Sequence, residues 1–294
     1  MEIFGIPIQA LFGQLLIGLI NGSFYALLSL GLAVIFGLLN IINFTHGAQY
    51  MLGAFCSFLL LSKLGVGYWW SLLLTPVIVG ATGMIIERTM LARLYKLDLL
   101  YGLLLTFGLA LIIQGIFRNE FGSSGLPYRV PAELTGGQNL GFMFLPNYRG
   151  WVVATSLVVC LATWYVIERT KLGAYLRAAT ENPQLVQAFG INVPRMITLT
   201  YGFGVALAAF AGVMAAPIYQ VNPLMGADLI IVVFAVVVIG GMGSIMGAIV
   251  TGFGLGIIEG LTKVFYPEAS NTVIFIIMAI VLLFKPAGLF GTQK

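Results

Sequence analysis

Charge is what this sequence has least of. Only 8% of its 294 residues are Asp, Glu, Lys or Arg, where a soluble domain carries roughly 25%. None at all occurs between Ile3 and Ser62. With 60% hydrophobic residues, a soluble globular domain is excluded and an integral membrane protein is indicated. The net charge of +4 reports orientation across a bilayer rather than a nucleic-acid surface. Histidine is equally scarce. His46 stands alone, with no neighbouring Cys, Asp or Glu, and H-E-x-x-H and G-x-S-x-G patterns are missing, which leaves an intramembrane enzyme little to work with. The two cysteines, Cys56 and Cys160, each fall inside an expected helix without the paired spacing of a metal or disulfide framework, so both read as small core residues. No G-x-x-x-x-G-K-[ST] loop is present to cradle ATP, so any ATP and magnesium belong on partner chains. Near the start, Glu2 stands where a secretory signal would be basic and no A-x-A-like site follows, so the first apolar stretch is expected to remain as a span.

What the sequence does have is charge-free runs long enough to cross a hydrocarbon core of about 30 Å, which takes about 20 residues of helix. After the first run come Leu64 to Ile86, Leu99 to Phe117, Gly150 to Ile167, Met196 to Ala227, Leu229 to Ile258 and Ala269 to Phe284. They are continuously apolar rather than alternating, so helices are expected and not a barrel. The fold class is therefore an all-α polytopic bundle of about 8–9 transmembrane helices, over about 9–38, 47–62, 69–87, 100–118, 150–168, 195–216, 227–241, 245–262 and 271–284. The first span is either one long helix or two pieces divided at Asn21-Gly22-Ser23. Alternating sides collect Arg88, Arg93, Lys96, Arg169, Lys171, Arg177, Arg195, Lys285 and Lys294 on one face, which the positive-inside rule makes cytoplasmic. The C-terminus is then inside.

Two expected helix ends carry the same tetrapeptide, Ile86-Glu87-Arg88-Thr89 and Ile167-Glu168-Arg169-Thr170, a weak hint of an internal repeat of the kind transporters use. Residues 119–149 form a long external connection, either disordered or a docking surface. Residues 169–194 form an internal one. Within it Glu181 or Asn182 can cap a short helix opened by Pro183, and Gly190 can close it in a left-handed conformation. Leu185, Val186 and Phe189 then share one face.

The stretch "RAATENPQLVQAFGINVPRM" resembles the cytoplasmic loop of ABC importer permeases. Arg177 stands where the generic pattern has Glu, and this variant is similar to the LivH-type permeases of branched-chain amino acid ABC importers. "NGSFYALLSLGLAVIFGLLNIINFTHGAQYMLGAF" and "VVIGGMGSIMGAIVTGFGLGIIEGL" carry the likeness along most of the chain in the same order. The resemblance implies a single permease domain over residues 1–294 in the bacterial inner (plasma) membrane, with 119–149 periplasmic and 169–194 as the coupling segment. It implies as partners a second related permease, two cytoplasmic ATPase subunits and a periplasmic substrate-binding protein, with no nucleic acid. It assigns ATPase coupling to Arg177, Ala178, Ala179, Glu181, Asn182, Gly190, Ile191, Val193 and Pro194. Branched-chain amino acids are the implied cargo; relatives carrying urea, amides or aromatic acids keep those open. A stand-alone secondary transporter or channel is a rival class. It would need ionisable residues near the midplane, whereas Asp228 and Glu259 fall toward span ends.

Two constellations stand out inside the spans. Gly252, Gly256 and Gly260 recur every four residues, as do Gly243 and Gly247 before them, forming stripes that let helices pack closely, within this chain or against a partner permease. Asn40, Asn43, Thr45, His46 and Gln49 crowd an otherwise apolar region, together with a Gly at 47. Unsatisfied polar groups cost several kcal/mol in lipid. A helix broken near residues 40–47 follows, with Asn43 or Thr45 capping the next helix. The cluster reads as a gate or hinge, as a cargo contact, or as simple capping. Asn21, Ser23 and Tyr25 lie deeper in the first span and either line a path or satisfy one another.

Overall fold

The computed structural model describes residues 2–3, 6–39, 42–141 and 143–291. Eleven α-helices carry the described fold: α1 (Ile8–Leu39), α2 (Thr45–Leu64), α3 (Tyr68–Thr89), α4 (Leu99–Phe121), α5 (Asn147–Arg169), α6 (Lys171–Glu181), α7 (Pro183–Ala188), α8 (Val193–Tyr219), α9 (Met225–Gly240), α10 (Ile245–Phe265) and α11 (Val273–Phe284). The protein is an all-α polytopic membrane protein. Six described helices, α1, α3, α4, α5, α8 and α10, are long and apolar enough to cross a bilayer. α2 has the length at 20 residues but a more polar composition, because its first two turns hold the polar cluster. α9 and α11 are shorter apolar helices of 16 and 12 residues. All nine expected spans have a helix at their place. Asn21-Gly22-Ser23 does not divide the first, since α1 runs unbroken for 32 residues.

The chain forms two compact units. One comprises Met1–Ser29, Arg129–Leu161 and Val232–Lys294, the other Leu30–Tyr128 and Ala162–Ile231. In the second unit α8 is the central helix, packed against both α2 and α3. Its core gathers Ile35, Val79, Leu91, Tyr201, Val205 and Ala209. Small residues set the spacing: a Cβ at Gly53 would strike the backbone of Ala209, and one at Gly212 the backbone of Tyr50. Backbones so close gain dispersion contacts where lipid supplies no hydrophobic drive for helix association. α4 shows the opposite character, with Leu104, Leu111, Ile112 and Ile116 all outward-facing and large, as a lipid-contacting surface requires.

In the first unit α10 lies on the residue 8–29 part of α1. A Cβ at Gly256 would collide with Gly18 and Gly22, one at Gly252 with Ala26, and one at Gly260 with Gln14 and Gly18. These three glycines thus lie against α1 of the same chain. Gly243 does not extend the stripe: it sits in the turn before α10 with φ 88°, left-handed backbone that suits glycine. Gly247 follows on α10 and abuts Gly240.

The 122–146 connection is folded, not disordered. Leu126 bridges to Val221, and the Tyr128 hydroxyl is 2.9 Å from that of Ser57. A hairpin of β1 (Gly137–Asn139) and β2 (Phe144–Pro146) pairs Gln138 with Leu145. Burial pushes the Tyr128 phenol above its ordinary range.

Candidate pathway and coupling sites

The polar cluster occupies the connection from α1 to α2 and the first turns of α2. Asn40 lies outside the described residues. The rest are fully buried: Asn43, Thr45, His46 and Gln49 are at most 1% exposed. Neither Asn43 nor Thr45 caps α2, whose N-cap position is Phe44 with no side-chain cap bond. Their side chains face inward instead. Asn43 Nδ2 donates to Gln49 Oε1 at 3.1 Å, and Gln49 Nε2 reaches the Tyr201 hydroxyl at 3.5 Å. Thr45 Oγ1 donates to the Thr106 carbonyl at 2.8 Å. Thr106 does the capping work from α4. Its hydroxyl accepts from the Phe44 N–H at 3.2 Å, and its single proton is shared between the Ile42 carbonyl at 3.1 Å and the Leu103 carbonyl of its own helix at 3.0 Å, so this side chain ties the break to α4. His46 packs its ring over Gly31, where a Cβ would stand 3.0 Å from Cε1. At Gly47 and Gly226 the backbones of α2 and α9 meet so closely that neither position has room for a side chain.

A second polar group lies between α1 and α10, and sequence reasoning found only half of it. Glu259 is buried, accepting from Tyr25 Oη at 2.7 Å and from Asn21 Nδ2 at 3.2 Å, with Lys263 one helical turn further on completing an ion pair. A carboxylate inside a membrane span is costly unless it is paired and hydrogen-bonded, and here Tyr25, Asn21 and Lys263 all donate to it. Ser23 stands apart, donating to the Leu19 carbonyl of its own helix at 2.9 Å. Asn21 and Tyr25 both converge on Glu259.

The 169–194 segment holds two helices where one was expected. α6 is amphipathic, burying Gly173 and Leu176, and carries the alanine pair in its last turn, with Ala178 exposed and Ala179 half-buried. Arg177 donates to the Ile167 carbonyl at 3.1 Å and pairs with Glu168 at 3.3 Å, which ties α6 back to the end of α5. Asn182, not Glu181, caps α7 by accepting from the Leu185 N–H. Gly190 follows in left-handed backbone at φ 82°. The expected single apolar face is split, because Val186 is buried while Leu185 and Phe189 are 54% and 77% exposed. Ile191 is half-buried, and Val193 and Pro194 begin α8.

Glu87, which the sequence marks only as part of a repeated tetrapeptide, joins three segments. It is 2% exposed and accepts from Tyr95 Oη at 2.5 Å and Thr198 Oγ1 at 2.6 Å, joining α3, the connection after it and the first turns of α8. Burial first, then this hydrogen bond to the Glu87 carboxylate, push the Tyr95 phenol well above its ordinary range. The repeated tetrapeptides end their helices alike: Thr89 and Thr170 each donate back to a carbonyl four residues earlier, and Glu87 and Glu168 each hold a side chain from the segment that follows.

Comparison with known proteins places the whole chain. No solved structure matches the chain. The high-affinity branched-chain amino acid transport system permease protein LivH of Escherichia coli (strain K12) is 31% identical over 96% of both chains. The corresponding permease BraD of Pseudomonas aeruginosa is 30% identical, again over 96% of both. A probable branched-chain amino acid transport permease protein LivM of Methanocaldococcus jannaschii is 30% identical over 49% of this chain and 47% of its own. A family model described as "Branched-chain amino acid transport system / permease component" matches residues 14–282, nearly the whole helical body, and the chain belongs to that family of membrane permeases.

Proposed function

We propose that this protein is one permease subunit of an ABC importer that carries branched-chain amino acids inward across the bacterial inner membrane, with its C-terminus in the cytoplasm. Family membership supports the transport role, and the similarity to proteins named both LivH and LivM supports a pair of related permeases. The observation that carries the coupling role is the exposed α6–α7 elbow. It offers Leu185 and Phe189 outward, is fastened to α5 through Arg177, and leads directly into α8, the central helix of its unit. A rigid knob of this kind, seated in a groove of a motor domain, passes a push to the spans it adjoins. ATP and magnesium then act on two cytoplasmic ATPase subunits, a periplasmic binding protein delivers cargo, and this chain does no covalent chemistry.

Within that cycle the buried Asn43–Gln49–Tyr201 line and the Thr106 tie act as a hinge at the broken helix rather than as a cargo site, because their polar atoms face one another. The test is a cysteine at Leu185 or Phe189 in the complex co-expressed with its ATPase subunit. Crosslinking to the ATPase that changes on ATP binding is expected. Leucine uptake by this chain without any ATPase would overturn the reading.

A further inference from the structure

Two arginines at neighbouring helix ends frame a groove, and neither has a part in the sites described above. The cavity, about 890 Å³, opens beside the end of α3 and the start of α8 and is lined by Met84, Ile85, Arg88, Arg195 and Leu199 among others. Arg88 and Arg195 are both exposed, and neither has an ion-pair partner among the described residues. The one carboxylate in the lining, Glu87, is buried and already occupied by Tyr95 and Thr198. It leaves the two guanidinium groups as the groove's available charge.

Helix geometry gives the groove two levels. α3 runs toward Arg88 and α8 runs away from Arg195, so the residue one turn deeper is Ile85 on the first and Leu199 on the second. Ile85 is 62% and Leu199 63% exposed, an open apolar wall below a pair of cations. A second, almost wholly apolar cavity of about 420 Å³ flanks the other side of α8 and shares Arg195 and Leu199, adding Val166 and Phe203. Paired cations at the membrane edge above an apolar wall match an anionic headgroup joined to acyl chains, and a protein partner confined to water would not fill the deeper level. Two arginines also suit a phosphate oxygen set better than a single point charge does.

We infer that the Arg88–Arg195 groove is a binding site for an anionic phospholipid of the inner leaflet. The inference rests on the proposed function only in taking this helix-end face as the inner one. The test is native mass spectrometry of the whole importer complex released from vesicles of phosphatidylglycerol and phosphatidylcholine, read with neither cargo nor ATP, so a failed import assay leaves it standing.

Retained phosphatidylglycerol is expected on the wild type, reduced about tenfold or more in R88Q/R195Q and partly restored in R88K/R195K. A control, R93Q/R169Q, should retain it; equal loss there would show general surface attraction and overturn the site. Displacement by soluble glycerol phosphate as readily as by the diacyl lipid would overturn it too. So would a double variant that keeps its lipid and sheds the ATPase instead, since the groove would then belong to that protein.

Discussion

Tyr25 on α1 donates a 2.7 Å hydrogen bond to the carboxylate of Glu259 on α10, 234 residues away in sequence. The bond lies in the same helix pair that the glycine stripe draws together, so close packing and polar pairing support each other. Y25F removes one charge-assisted donor and keeps the ring, and should cost about 1–2 kcal/mol of stability, read as a lower melting temperature of the purified complex in detergent. E259L should cost more, because it removes the shared acceptor of Tyr25, Asn21 and Lys263 at once. Equal melting of Y25F, E259L and wild type would show that the pair does not hold the helices.

The stripe itself makes a separate prediction. A Cβ at Gly256 meets the backbones of Gly18 and Gly22, whereas one at Gly254 meets nothing within 4 Å. G256L should therefore abolish recovery of folded complex, and G254A should be neutral or slightly stabilising, since alanine favours helix over glycine by up to about 1 kcal/mol. Size-exclusion yield of the two variants decides it. Normal recovery of G256L would mean that α10 can move off α1 at little cost.

The helices were legible in the sequence because absence of charge over about 20 residues is a long-range, redundant signal. Single polar residues are not. Glu87 and Glu168 occur in the same tetrapeptide, and nothing local says that the first is buried between Tyr95 and Thr198 while the second pairs with Arg177 in the open. Thr106 sits in an apolar run as one of many small residues, and only folding brings it to Phe44, 62 positions earlier. The break near residues 40–47 was readable, because polar residues cannot face lipid there, but its cap comes from another helix. α6 was missed for a related reason. Lys171, Arg177 and Glu181 read as loop, whereas they are the solvent face of a helix that buries Gly173 and Leu176.

Glu87 joins the segment after α3 to the first turns of α8, immediately beyond the proposed coupling elbow, so it should carry motion from that elbow into α3. E87Q keeps the shape but turns one of two acceptors into a donor facing Tyr95 or Thr198. The expected phenotype is uncoupling. ATP hydrolysis by the reconstituted complex continues, while cargo moved per ATP falls about five- to thirtyfold, the equivalent of about 1–2 kcal/mol. A proportionate fall in both rates, with coupling intact, would assign Glu87 to stability alone.

The last prediction concerns the broken helix. Thr106 is fully buried; its hydroxyl accepts from the Phe44 N–H and shares its proton between the Ile42 and Leu103 carbonyls, while its own carbonyl accepts from Thr45. T106V preserves volume and branching but takes the acceptor from the Phe44 N–H and the shared proton from the Ile42 carbonyl, at about 1–3 kcal/mol. T106S keeps the hydroxyl and loses only a methyl, so it should behave nearly as wild type. If the break is a hinge, T106V should change the leucine uptake rate and leave apparent affinity unaltered, because the tie controls how the spans move and not how cargo is held. A shift confined to affinity would place cargo against Asn43, Gln49 and His46 and return the cluster to the translocation path.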